Sequence, residues 1–73
     1  MILEDVIIGR YYYARDNGIV SVFLVVDKQL THLEGLDIYT TGDYEESGWL
    51  LWYEDKMDEL YEVTLDSHPE YFL

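Results

Sequence analysis

The chain has 73 residues and a formal charge of −12 at pH 7, from 16 Asp and Glu against 4 Lys and Arg. Its hydrophobic fraction of 49% is that of a folded domain, so the charge does not imply disorder. It contains no Cys, which excludes disulfide frameworks, thiolate metal sites and Cys nucleophiles.

The length predicts a single domain over 1–73. No apolar run approaches the roughly 20 residues of a membrane span. The opening Met1-Ile2-Leu3-Glu4-Asp5 is acidic, unlike the basic start of a secretory signal, so a cytoplasmic location is expected. A domain this small needs some substitute for staples. Here the substitute is aromatic area: eight Tyr, two Trp and two Phe. Each ring can bury about 150–250 Å². Most are therefore expected in the core, with the remainder free for a partner or a homodimer face.

Val6 to Ala14 and Ile19 to Val26 are both rich in β-branched and aromatic residues. Asn17-Gly18 lies between them, and both residues tolerate the positive φ of a type I′ turn, so a two-residue hairpin is predicted. Counting outward pairs Tyr13 with Val22, Tyr12 with Phe23 and Tyr11 with Leu24. Tyr11 and Tyr13 then share one face, Arg10 and Tyr12 the other. Both faces are largely apolar, so the hairpin should be central in a sheet, or have one face covered by a helix and the other by a partner.

Leu30 to Leu33 fits one helical turn ended by Gly35, and Leu36 to Thr41 alternates as a short third strand. Gly42-Asp43 starts a turn. Gly48 to Tyr53 reads as a buried apolar run whose periodicity does not assign it. From there Tyr53, Met57, Leu60 and Tyr61 fall on one arc of a helical wheel, opposite Glu54, Asp55, Asp58, Glu59 and Glu62. An acidic amphipathic helix over 53–63 is predicted. The rival is a hairpin pairing Leu51–Tyr53 with Tyr61–Leu65. After the breaker Pro69, the apolar end Tyr71-Phe72-Leu73 is expected to dock on the domain. The expected fold class is α+β: an antiparallel sheet of three or four strands with that one helix. The alternative is an all-β five-stranded small barrel.

The charge is segregated along the chain. Residues 1–28 hold four acids against three bases, and residues 29–73 hold twelve acids against Lys56 alone. Adaptation of a whole surface to salt would distribute the excess evenly. On a helix, Glu54–Asp58, Asp55–Glu59 and Asp58–Glu62 would be like-charge i,i+4 pairs, each destabilising by about 0.2–0.5 kcal/mol. Such a cost points to use of the charge against a basic partner. Duplex DNA carries about one charge per 1.7 Å, so twelve charges match about 20 Å of duplex. A domain of this length is about 30 Å across. In charge and size, though in no motif, the chain resembles the small acidic inhibitors with which phages and mobile elements occupy nucleic-acid-binding grooves. It is similar in the same way to immunity proteins that cap nuclease toxins.

The expected partner is therefore a basic nucleic-acid-binding protein: a nuclease, a restriction or CRISPR effector, or an RNA polymerase. The expected contact residues are Asp43, Glu45, Glu46, Glu54, Asp55, Asp58, Glu59, Glu62 and Asp66. The alternative is an adaptor binding through an aromatic face at Tyr11 and Tyr13, with the acidity serving solubility. Asp43 to Glu54 also spans a partial EF-hand spacing, but Leu51 occupies a position that should offer an oxygen. No metal or other cofactor is expected. His32 and His68 have no zinc-ligand spacing, and Ser67-His68 is adjacency rather than a triad. No catalytic residue is assigned. Direct binding to nucleic acid or to anionic membrane is opposed by charge repulsion.

Overall fold

The Asn17-Gly18 turn forms as its residue types require, with φ of 51° at Asn17 and 77° at Gly18. It joins β1 (Tyr11–Asp16) to β2 (Ile19–Lys28) in an antiparallel hairpin. The register is the one counted from the turn: Tyr13 opposite Val22, Tyr12 opposite Phe23, Tyr11 opposite Leu24. The computed structural model describes residues 1–42 and 48–72.

β3 (His32–Thr40) pairs antiparallel with β2, and β4 (Trp49–Tyr53) pairs antiparallel with β3. The chain then crosses to the far side of the hairpin, where β5 (Tyr61–Val63) pairs antiparallel with β1. The sheet order is β4-β3-β2-β1-β5.

This corrects the α+β expectation. Residues 53–63 are not a helix; they contain a 3-10 turn at Glu54–Lys56, a turn at residues 58–59, and β5. The rival hairpin fails too, because Trp49–Tyr53 takes β3 as partner and Tyr61–Val63 takes β1. Two forces oppose the helix. Its like-charge pairs would cost free energy, and β1 would keep one edge of unmade backbone hydrogen bonds without β5. Leu30–Leu33 forms no helical turn either, since β3 begins at His32 and runs through Gly35. Five strands are present, as in the alternative architecture, but among the described residues the sheet does not close by pairing β4 with β5.

Two irregularities shape the sheet. The register slips between Val25 and Asp27, and again where Val22 and Phe23 face Tyr39 and Asp37. Val26 and Ile38 are thus extra residues, and such bulges increase local twist. The second one places Asp37 beside Phe23 on one face and Tyr39 beside Val22 on the other.

The first face of the sheet holds Tyr12, Ala14, Phe23, Val25, Leu33, Leu50 and Trp52, all buried. Leu3 and Val6 cover it from the N-terminal segment, and Met57 and Leu60 from the crossover. Met57 and Leu60 are on the arc that the wheel marked as apolar. Their spacing served a covering loop rather than a helix. The ring heads pin these covers down: Ile7 N–H donates to Tyr12 Oη at 2.9 Å, and Trp52 Nε1 donates to Lys56 O at 2.8 Å. Lys28 Nζ reaches over from β2 and donates to the carbonyls of Leu3, Glu4 and Val6 at 3.2, 3.2 and 2.7 Å.

The second face carries Tyr11 and Tyr13, as expected from the hairpin register. The C-terminal 3-10 turn, Pro69–Phe72, lies on part of it. Tyr71 and Phe72 dock there as predicted, with Phe72 edge-on to Tyr11 at 4.9 Å and Tyr71 at 5.0 Å from Tyr39, while Leu73 lies outside the described residues. The expectation that most rings are core is not met. Of the twelve, Tyr12, Phe23 and Trp52 are buried; Tyr44 lies outside the described residues.

Gly35 permits a close approach between β3 and β2. A Cβ there would lie 2.8 Å from Phe23 Cδ2 and 3.0 Å from the Leu24 carbonyl oxygen. Phe23 is fully buried and cannot swing away. Gly35→Ala is expected to destabilise the fold by about 1–3 kcal/mol, the usual scale of overpacking. Urea unfolding followed by tryptophan fluorescence measures this, and an unchanged midpoint would contradict the packing described.

Candidate interaction surface

The four cations are all engaged within the molecule. Arg10 Nη1 lies 3.2 Å from Glu62 Oε1, and Arg15 Nη2 lies 2.8 Å from Glu59 Oε1. Lys56 Nζ lies 2.8 Å from Asp16 Oδ2. Lys28 is the carbonyl-bound residue already described. Hydrogen bonding and attraction from Glu59 raise the pKa of Arg15, and those from Asp16 raise that of Lys56. All three ion pairs connect the β1 neighbourhood to the segment 56–62. Folding thus brings Arg10 and Arg15 of the first half against acids of the second, and Lys56 of the second against Asp16 of the first.

The expected contact residues are consequently not one stripe. Glu59 and Glu62 are exposed but spent in ion pairs. Glu54 and Asp55 are exposed in the 3-10 turn after β4, Asp58 in the following turn, and Asp66 in the turn after β5. Asp43, Glu45 and Glu46 lie outside the described residues, as do positions 43–47 of the partial EF-hand spacing. Its second half is mostly the strand β4. Glu54 lines two adjoining shallow clefts, one shared with Glu4 and the other with Asp55. These three carboxylates therefore border the same pair of clefts. Among the described residues, no group of three or more metal-ligating side chains converges.

The aromatic face divides in two. Over β1 and β5 it is half sealed: Tyr13 stacks on Tyr61 at 4.6 Å, and Tyr71 lies 6.3 Å from Tyr13. Partial burial raises the pKa of the Tyr61 and Tyr71 phenols. Tyr11 and Tyr13, the alternative contact residues, are only partly accessible because the C-terminal turn and Tyr61 lie against them. His68 packs between Tyr61 and Tyr71 and bonds Ser67 at 2.8 Å.

Over β3 and β4 the same face is open. Register places Leu36 opposite Trp49, Glu34 opposite Leu51 and His32 opposite Tyr53. Trp49, Leu51 and Tyr53 are 51%, 45% and 47% exposed, and Leu36 is 37% exposed. Leu50 and Trp52, between them in sequence, point into the core. Reading Gly48–Tyr53 as one buried run missed this strip. The run is apolar on both phases, so composition conceals a period of two that only a covered and an uncovered face can reveal.

No family model matches this chain, and no curated protein or solved structure matches it.

One buried polar atom stands apart from these surfaces. Asp37 faces the core side beside Phe23, and its Oδ1 has no hydrogen-bond partner among the described residues. Burial pushes its carboxyl up to about 6. A pKa raised on folding favours the protonated folded state. Asp37 thus costs no stability below the ordinary carboxylate range, and its penalty builds up as pH rises from that range to about 6, above which it is fully present. Asp37→Asn is expected to raise the melting temperature at neutral pH and leave it nearly unchanged near pH 4. Thermal melts at the two pH values check the sign.

The two tryptophans provide a second check. Trp52→Ala should cost about 3–5 kcal/mol, as for a buried large ring. Trp49→Ala should cost within about 0.5 kcal/mol, as for a surface substitution. Equal losses in denaturant titrations would contradict the division of β4 into a core side and an open side.

Proposed function

We propose that this chain is a small cytosolic, non-enzymatic antagonist that binds the basic, nucleic-acid-binding surface of another protein. Candidate targets are a nuclease, a restriction or CRISPR effector, or an RNA polymerase. The supporting observation is the commitment of every Lys and Arg to an internal partner. The remaining carboxylates are left without a basic side chain to offset them, so the net charge of −12 acts outward as a field. The molecule measures 31 × 28 × 21 Å. At about one charge per 1.7 Å of duplex, its net charge equals that of a DNA segment shorter than its own longest dimension. A groove evolved for phosphates would attract such a body and be filled by it.

A second reading, an adaptor that binds by apolar contact, draws support from the open strip of Leu36, Trp49, Leu51 and Tyr53. An exposed aromatic strip of this kind is unusual on a monomer without a partner.

Salt separates the two. The target would be captured from a cell lysate at low ionic strength, identified, and its binding measured with purified protein. For the antagonist, affinity should fall about tenfold or more between roughly 50 and 200 mM salt. Short duplex DNA should compete. Lysine substitution at Glu54, Asp55, Asp58 and Asp66 together should abolish binding while the circular dichroism stays that of the folded protein. Binding indifferent to salt and to DNA would reject the antagonist reading in favour of the adaptor.

A further inference from the structure

Strand β4 is the outer strand of the sheet on its side. Its inward hydrogen bonds are fixed at both ends: Asp37 N–H donates to Gly48 O at 2.7 Å, and Glu54 N–H donates to Thr31 O at 3.0 Å. Backbone groups alternate sides along a strand. Residues 48, 50, 52 and 54 therefore face β3, while the N–H and C=O groups of Trp49, Leu51 and Tyr53 face away from it. Among the described residues those groups have no hydrogen-bond partner. The same three residues present the exposed side chains of the open face. Open edges of this kind are usually blunted by Lys, Pro or a covering loop, and β4 itself contains neither Lys nor Pro.

We propose that β4 receives an extended, cationic strand of the target protein by strand addition, which deepens the antagonist reading and rests on it. Backbone hydrogen bonds to Trp49, Leu51 and Tyr53 would give the added strand its register. Its Arg or Lys side chains, on the open face, would lie against the rings of Trp49 and Tyr53, where cation–π attraction operates. Glu34, opposite Leu51, and Asp27, opposite Glu34, line the same face further in. Glu54 and Asp55 follow β4 directly. The charge argues for this occupant over a second copy of the chain, which would bring −12 against −12.

The test uses an extended peptide of alternating Arg and Val, and the same peptide N-methylated on alternate residues. Methylation removes backbone donors and leaves the charge unchanged. The unmodified peptide should bind and slow hydrogen exchange at the Trp49, Leu51 and Tyr53 amides at least tenfold. The peptide methylated on the β4-facing residues should bind at least tenfold more weakly. Leu51→Pro, which deletes an outward donor but no inward one, should weaken binding similarly. Trp49→Lys offers an independent variant that leaves the strand's backbone intact, and it too should weaken binding.

Equal affinity of both peptides, or binding without protection of those three amides, overturns strand addition. Protection of the three amides without peptide, together with a dimer in sedimentation, overturns it in favour of a second copy. Failure of strand addition alone leaves the salt- and DNA-sensitive binding of the antagonist in place. Loss of that sensitivity with the peptide result intact would instead reject the basic target.

Discussion

The central hairpin is apolar on both faces, and everything else in the molecule follows from having to cover both. Val22 and Phe23 are adjacent, point in opposite directions and are both fully buried. No long helix is present among the described residues to do the covering. The covers are short irregular segments instead: the N-terminal segment with Leu3 and Val6 and the crossover on one side, the C-terminal turn on the other. Such segments bring few hydrogen bonds of their own. They are held by groups projecting from the sheet, above all Tyr12, Trp52 and Lys28. Lys28 supplies three bonds from one ammonium to backbone carbonyls, the kind of charge-assisted contact that is stronger than a neutral one.

That arrangement decides the electrostatics. A chain with four cations commits one to the N-terminal cover and three to joining the β1 neighbourhood to the segment 56–62, which spans the crossover and the start of β5. Exposed ion pairs of this kind contribute little stability each. Their larger consequence is that no basic side chain remains to balance the other acids. The net charge is thus a property of the outside of the molecule, distributed over turns at the strand ends rather than ordered on a helix.

The covers are also incomplete. The C-terminal turn reaches β1 and β3 but leaves β4 with three exposed apolar side chains and, among the described residues, an unpaired backbone edge. An anionic body with an open aromatic strand combines long-range attraction for a basic surface with short-range contacts able to hold it. Charge alone would speed encounter more than it would prolong the complex. The aromatic strip supplies the apolar area that charge lacks.

The sequence by itself determined the hairpin, its turn type, its register and the sides of Tyr11, Tyr12 and Tyr13. These depend on neighbours within a dozen residues and on the φ allowed to Asn17 and Gly18. It also indicated that Tyr71 and Phe72 would dock, since Pro69 interrupts the chain just before them and two large rings lose unfavourable contact with water by packing on an apolar sheet face. The tertiary structure alone decided the state of residues 53–63. Their apolar spacing suits a helix, but β1 offered backbone partners some fifty positions away, and local periodicity carries no trace of an edge awaiting a strand. The same reason governs the charge. Twelve acids after residue 28 looked segregated, yet antiparallel pairing set Glu59 and Glu62 beside Arg15 and Arg10. Which half of an apolar run meets water depends on what covers the sheet, and that is settled only when the whole chain is folded.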